Sequence, residues 1–125
     1  MLPMSEPATA AKELECCVKK PGFVGALVDN HLNGQFYDDE RFWSVFEKAQ
    51  ELNGPIYIHP SFVAVLWLTI QGNYSDSFAM ALSAYGWAWY TETGLHILKL
   101  FASGLFDCFP KLNIVIGDMG EILTF

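Results

Sequence analysis

Apolar and polar positions along this chain fall in blocks rather than in simple alternation. Residues 23–28 (Phe-Val-Gly-Ala-Leu-Val), 55–58 (Pro-Ile-Tyr-Ile) and 112–116 (Leu-Asn-Ile-Val-Ile) are nearly unbroken apolar runs. Short runs of this kind, bounded by Gly, Pro and Asn, predict strands covered on both faces. Helical spacing fills the intervals. Residues 7–20 predict a helix with Ser5 or Thr9 as its cap and Lys12, Glu13 and Lys19 on the wet face. Behind Asp38 and Asp39, residues 40–52 set Phe42, Val45, Phe46 and Ala49 on one helical stripe. Residues 76–88 have helical character interrupted by Gly86, residues 91–102 form a stronger helix ended by Ser103-Gly104, and 106–110 read as a loop. Residues 62–70 are apolar without a clean period, and Gln71-Gly72-Asn73 break the run. The order is β, α, β, α(α), β. Connections this long exclude hairpins and predict parallel neighbouring strands with helices outside. The fold class is α/β, either a small open sandwich or a piece of a (β/α)8 barrel.

Composition narrows the partners. The 125 residues make one domain, 1–125, with 52% hydrophobic and 17% charged residues. So apolar a chain either has little surface or leaves apolar surface for a partner. The net charge of −7 argues against nucleic acid, whose phosphates call for Lys and Arg. A membrane span is not expected, because the greasiest stretch is far shorter than the roughly 20 apolar residues required. The N-terminus lacks the basic-then-apolar order of a signal peptide. Cys16, Cys17 and Cys108 show no CxxC or zinc spacing and read as structural thiols, so a cytoplasmic location is expected.

The candidate chemistry sits just past the strands: Asp29-Asn30-His31 after the first, His59 after the second, Asp118 and Glu121 after the third. Parallel strands bring such endings together on one side of the sheet. His59, followed by Pro60, either offers an imidazole nitrogen to a metal or bonds to its own loop. His96 follows Glu92 by one helical turn, so the pair reads either as an acid–base histidine oriented by a carboxylate or as an ordinary surface pair. His31 lies among Asn30 and Asn33, where a turn role is the default. Tyr85, Trp87, Trp89 and Tyr90 read first as core and alternatively as the wall of a pocket for a flat substrate.

Several segments carry a family resemblance: GFVGALVDNHLNG, FYDDERFW, PIYIHPSF, ETGLHILKLFASGLFDCFPKLNIVIG and the final GDMGEILTF. In order and spacing they resemble the amidohydrolase-related decarboxylases, the group containing aminocarboxymuconate semialdehyde decarboxylase and the 2,3-dihydroxybenzoate and γ-resorcylate decarboxylases. The resemblance runs from about Pro3 to the last residue. It implies a partial metal-dependent (β/α)8 barrel of about three parallel strands that removes CO2 without oxidation from an aromatic or unsaturated acid such as a hydroxybenzoate. It further implies His59 as a metal ligand, His96 as the proton-transfer histidine, and a divalent ion, Zn2+ first and Mn2+ as the alternative. A small aromatic carboxylic acid is then the substrate, and a homo-oligomer is one implied assembly.

The chain also departs from that pattern. The family's Glu-x-His or His-x-His pair on the first strand and its aspartate on the last strand are absent, so the domain reads as truncated at both ends. Asp118 stands where the family usually has the histidine of GHMGE, Tyr90 where a histidine is common before the ETG segment, and Cys108 in place of a basic residue. One ligand from a set of about four holds an ion poorly. The chain alone is therefore expected to be inactive. The alternative reading is a degenerate half-barrel without catalysis, a binding or oligomerising remnant with exposed sheet edges.

Overall fold

The computed structural model describes residues 1–20, 22–61, 74–120 and 123. The apolar stretch at 62–70 and Glu121, expected among the polar residues past the third strand, lie outside the described residues. Helix α1 (Pro7–Lys19) leads to strand β1 (Ala26–Asp29), and a turn of 3-10 helix (Glu40–Phe42) opens α2 (Trp43–Glu51). Strand β2 (Ile56–His59) follows, then α3 (Asp76–Ala81), a kinked turn (Leu82–Gly86), α4 (Ala88–Ala102), the short α5 (Leu105–Cys108) and β3 (Ile114–Ile116). The three strands form one parallel sheet in the order β1-β2-β3, as the long crossovers require.

Register decides what each face does. Ala26 pairs with Ile56, which pairs with Ile114; Val28 pairs with Ile58, which pairs with Ile116. This set belongs to the core with Ala10 and Leu14 of α1 and Val45, Phe46 and Ala49 of α2. Val28, Ile56 and Ile58 are fully buried. At about 1.5–3 kcal/mol for each fully buried aliphatic side chain, this face is the main source of stability. The opposite face carries Leu27, Tyr57 and Val115 in register, and Val115 is 39% exposed. The expectation of strands covered on both faces is corrected here: the described helices pack on one side. In a closed (β/α)8 barrel the other side is the interior.

Four local expectations also change. Strand β1 begins at Ala26 rather than Phe23: Phe23 and Val24 are exposed, and Gly25 lies so close to the Pro55 carbonyl oxygen that an added Cβ would be 2.3 Å from it. The ladder starts when Ala26 N–H reaches that same carbonyl at 3.0 Å. Neither Ser5 nor Thr9 caps α1: Glu6 holds the cap position without a side-chain bond, and Pro7 opens the helix. The loop expected at 106–110 contains the one-turn helix α5, entered through Gly104 at φ +80. Strand β3 is shorter than the apolar run at 112–116, pairing only Ile114–Ile116.

Candidate active site

Parity along the strands places the candidate residues. Asp29 and His59 are register partners at the last positions of β1 and β2, on the same face as Leu27 and Tyr57. His59 therefore stands at the C-terminal rim of the open face, where parallel α/β folds gather their chemistry. Its Nδ1–H donates to the Pro60 carbonyl at 2.8 Å, its Nε2 has no hydrogen bond among the described residues, and the residue is exposed. An imidazole nitrogen at a strand end is a donor a divalent ion can use. Among the described residues, however, no group of three or more His, Cys, Asp or Glu side chains is close enough together to hold an ion. His59 fits one donor position; the described residues do not complete the set.

Aromatic rings surround His59. Tyr57 and Trp89 each lie 6.4 Å from it between ring centroids, and Tyr85 packs edge-on to Trp89 at 6.2 Å. Tyr85 and Trp87 are exposed, and Trp89 and Tyr90 are half-buried. The first reading of this cluster as core is thus corrected for Tyr85 and Trp87, and a kink at Ala84 (φ −115, ψ −113) separates α3 from α4 just before them. Trp89 Nε1 is buried with no acceptor among the described residues.

Next to this rim runs a chain of hydrogen bonds anchored on Asn30, which is fully buried. Its backbone N–H donates to Ser61 Oγ at 3.1 Å, tying β1 to the segment just beyond His59. Its side-chain Nδ2 donates to Glu92 Oε2 at 3.1 Å, and its Oδ1 accepts from His96 Nδ1 at 3.1 Å. Tyr37 N–H donates to His96 Nε2 at 3.1 Å, fixing the neutral Nδ1–H tautomer. The other oxygen of Glu92, Oε1, faces His31 Nε2 at 3.6 Å, and His31 Nδ1 accepts from Gly34 N–H at 3.2 Å.

Sequence spacing pairs Glu92 with His96. The structure instead turns Glu92 toward Asn30 and His31, and His96 is 0% exposed with both ring nitrogens engaged. Phe36 stacks on the His96 ring at 5.1 Å and Tyr37 meets its edge at 5.2 Å. Burial pushes the His96 pKa down to about 4; Lys99 and His31 act in the same direction, and Asp38 opposes them. Such an imidazole is neutral at neutral pH and buried among the described residues. Burial also raises the Glu92 carboxyl above its ordinary range, against the Asn30 bond and the His31 ring, which lower it. His31 was legible in sequence as a turn residue, and it does hold a turn. Its second contact, across 61 positions to Glu92, left no local signal.

The remaining candidates stand apart. Asp118 and Met119 lie exposed past β3 at φ +39 and +61. Gly117, just before them, is buried against Tyr57, whose hydroxyl would lie 2.8 Å from any added Cβ. Cys108 is exposed, and Cys16, Cys17 and Cys108 are all free thiols. Among the described residues, no helix is long and apolar enough to cross a membrane.

Comparison with known proteins matches residues 1–123 to the family model described as amidohydrolase. The chain is 42% identical over 126 residues to the decarboxylase orsB of Emericella nidulans, covering all of this chain and 38% of that protein. It is 41% identical over 130 residues to a gamma-resorcylate decarboxylase of Polaromonas sp., covering 99% of this chain and 38% of the relative. A solved dihydroxybenzoic acid decarboxylase from Polaromonas sp. JS666, with bound manganese and the inhibitor 2-nitroresorcinol, superposes with a TM-score of 0.84. That match has 40% identity and covers 97% of this chain and 37% of that one. The chain thus spans about two fifths of the length of these relatives, and its three parallel strands with flanking helices are an α/β part of their barrel.

Proposed function

The chain belongs to the amidohydrolase family, and from that premise we propose that the whole protein is a metal-dependent carboxy-lyase acting on an aromatic acid, of the hydroxybenzoate kind. The observation that carries this reading is His59 at the C-terminal end of β2, at an aromatic rim, with Nδ1 tied to Pro60 and Nε2 without a hydrogen bond among the described residues. His59 holds the ion through Nε2. The manganese in the related decarboxylase favours Mn2+ over the Zn2+ expected from sequence. When bound, a divalent ion supplies Lewis-acid polarisation of the substrate carboxylate and its neighbouring oxygen. Trp89 and Tyr57, each 6.4 Å from the His59 ring, offer aromatic surface for the flat ring of the acid. His96 is a positioning residue: through Asn30 it sets α4, and so Trp89 and Glu92, against the end of β1.

A second reading is favoured by one observation, the absence of a three-donor group among the described residues. On that reading residues 1–125 are a non-catalytic half-barrel that acts as a binding or oligomerising remnant, whereas on the first reading they turn over negligibly by themselves as part of a longer enzyme. Release of 13CO2 from carboxyl-labelled 2,6-dihydroxybenzoate and related acids, with Mn2+ or Zn2+ added, tests the first reading. Release that stops on chelation and in His59→Ala supports it and excludes the half-barrel. Release undiminished in His59→Ala refutes the role given to His59.

A further inference from the structure

Asp29 ends β1 as His59 ends β2, and nothing above gives it a role. The two are register partners, so their Cα atoms stand about 4.8 Å apart across neighbouring strands. Side chains alternate along a strand. Val28 and Ile58 therefore go to the core, while Asp29 and His59 go to the open face, next along the strands from Leu27 and Tyr57. On the other side of His59, Gly117 follows the last β2–β3 pair and brings no side chain to this row. The backbone under both residues is tied at this end. Asn30 N–H, next to Asp29, donates to Ser61 Oγ, two residues past His59, at 3.1 Å. The His59 ring is held in turn by the Pro60 carbonyl.

Asp29 is half-buried, and among the described residues its carboxylate has no hydrogen bond and no ion pair. Burial and, after it, the Asp29 charge push the Tyr37 hydroxyl above its ordinary range, yet no hydrogen bond joins the two. A carboxylate partly withdrawn from water and left without a partner is an anion in want of a cation. His59, its neighbour on the same face, does not bond to it either, so neither side chain is spent on the other.

We propose that Asp29 is a second protein donor to the divalent ion held by His59: a carboxylate oxygen from β1 beside an imidazole nitrogen from β2. The inference rests on the metal role given to His59 within the decarboxylase reading. Donors on adjacent strands can each come to about 2–2.2 Å from one ion. A carboxylate beside the imidazole makes the donor set harder and sets a negative charge against the cation, a combination suited to Mn2+. It also accounts for an otherwise unpartnered carboxylate at the rim.

The test reads the ion directly. The full chain is prepared with aspartate 13C-labelled at the side-chain carboxyl, and Mn2+ is added to wild type and Asp29→Ala, with folding checked by circular dichroism. Pulsed electron–nuclear double resonance should show a strong 13C coupling from a bonded carboxylate in the wild type, together with an imidazole nitrogen coupling. Asp29→Ala should lose the 13C coupling, keep the nitrogen coupling and bind Mn2+ at least about tenfold more weakly. A wild-type spectrum with nitrogen coupling but no bonded 13C overturns the role of Asp29 alone, as does a 13C coupling that survives in Asp29→Ala. A wild type without nitrogen coupling defeats the metal role of His59, and the inference with it. The labelled wild-type spectrum decides the question even where Asp29→Ala does not fold.

Discussion

Lowering the pH through the range where histidines titrate should destabilise the fold by way of His96. Its ring is completely buried, accepts Tyr37 N–H at Nε2 and donates from Nδ1 to Asn30, so an added proton has no acceptor. The folded pKa lies at about 4 against an ordinary 6.5. As the pH falls below 6.5 the unfolded chain binds the proton and the folded chain does not, so stability declines until the folded ring also titrates near pH about 4. That difference of about 2.5 pKa units corresponds to about 3 kcal/mol in full, and to about 2 kcal/mol between pH 7 and 5. Glu92 works in the opposite sense, because a raised carboxyl gains protons in the folded state first. Urea unfolding of the wild type and His96→Gln at pH 7 and pH 5 isolates the histidine. The variant should be less stable at pH 7 but lose much less on acidification. Equal losses in the two proteins would refute the reasoning, since the slope would then come from other groups.

Other expected outcomes follow from single contacts. Gly25→Ala would press a Cβ to within 2.3 Å of the Pro55 carbonyl, so urea midpoints should report a loss of about 2 kcal/mol or more. Gly117→Ala meets the Tyr57 hydroxyl at 2.8 Å, a side chain able to shift, and should cost about 1 kcal/mol while moving the near-ultraviolet dichroism of that tyrosine. Asn30→Ala strips Glu92 and His96 of their shared partner; a loss of about 2–4 kcal/mol is expected, with faster amide exchange at Tyr37, and an unchanged stability would show the network to be dispensable.

The strands and helices were legible because their signals are local. Phe42, Val45, Phe46 and Ala49 recur at helical spacing and do form the buried stripe of the Glu40–Glu51 segment. Parallel order followed from connection length alone. The strand boundaries were less legible, since Phe23 and Val24 are as apolar as Leu27, and the bond that opens the ladder, from Ala26 N–H to the Pro55 carbonyl, reaches a residue 29 positions away. The rim residues show the same division. His59 announces itself by sitting at the end of an apolar run before a proline. The partner of Glu92 could not be read from spacing, because α4 presents Glu92 and His96 to different contacts and Asn30 comes between them. The kink at Ala84, just before the exposed Tyr85 and Trp87, likewise left no signal beyond Gly86 in the sequence.

The role proposed for His59, the metal-binding end of a decarboxylation site, can be read from electron paramagnetic resonance of Mn2+ added to the chain, because imidazole nitrogen bound to manganese leaves a distinct modulation of the spin echo. The wild type should show that nitrogen signature, and His59→Ala should lose it together with at least about tenfold in Mn2+ affinity. The same affinity and the same nitrogen signal in His59→Ala would contradict the claim.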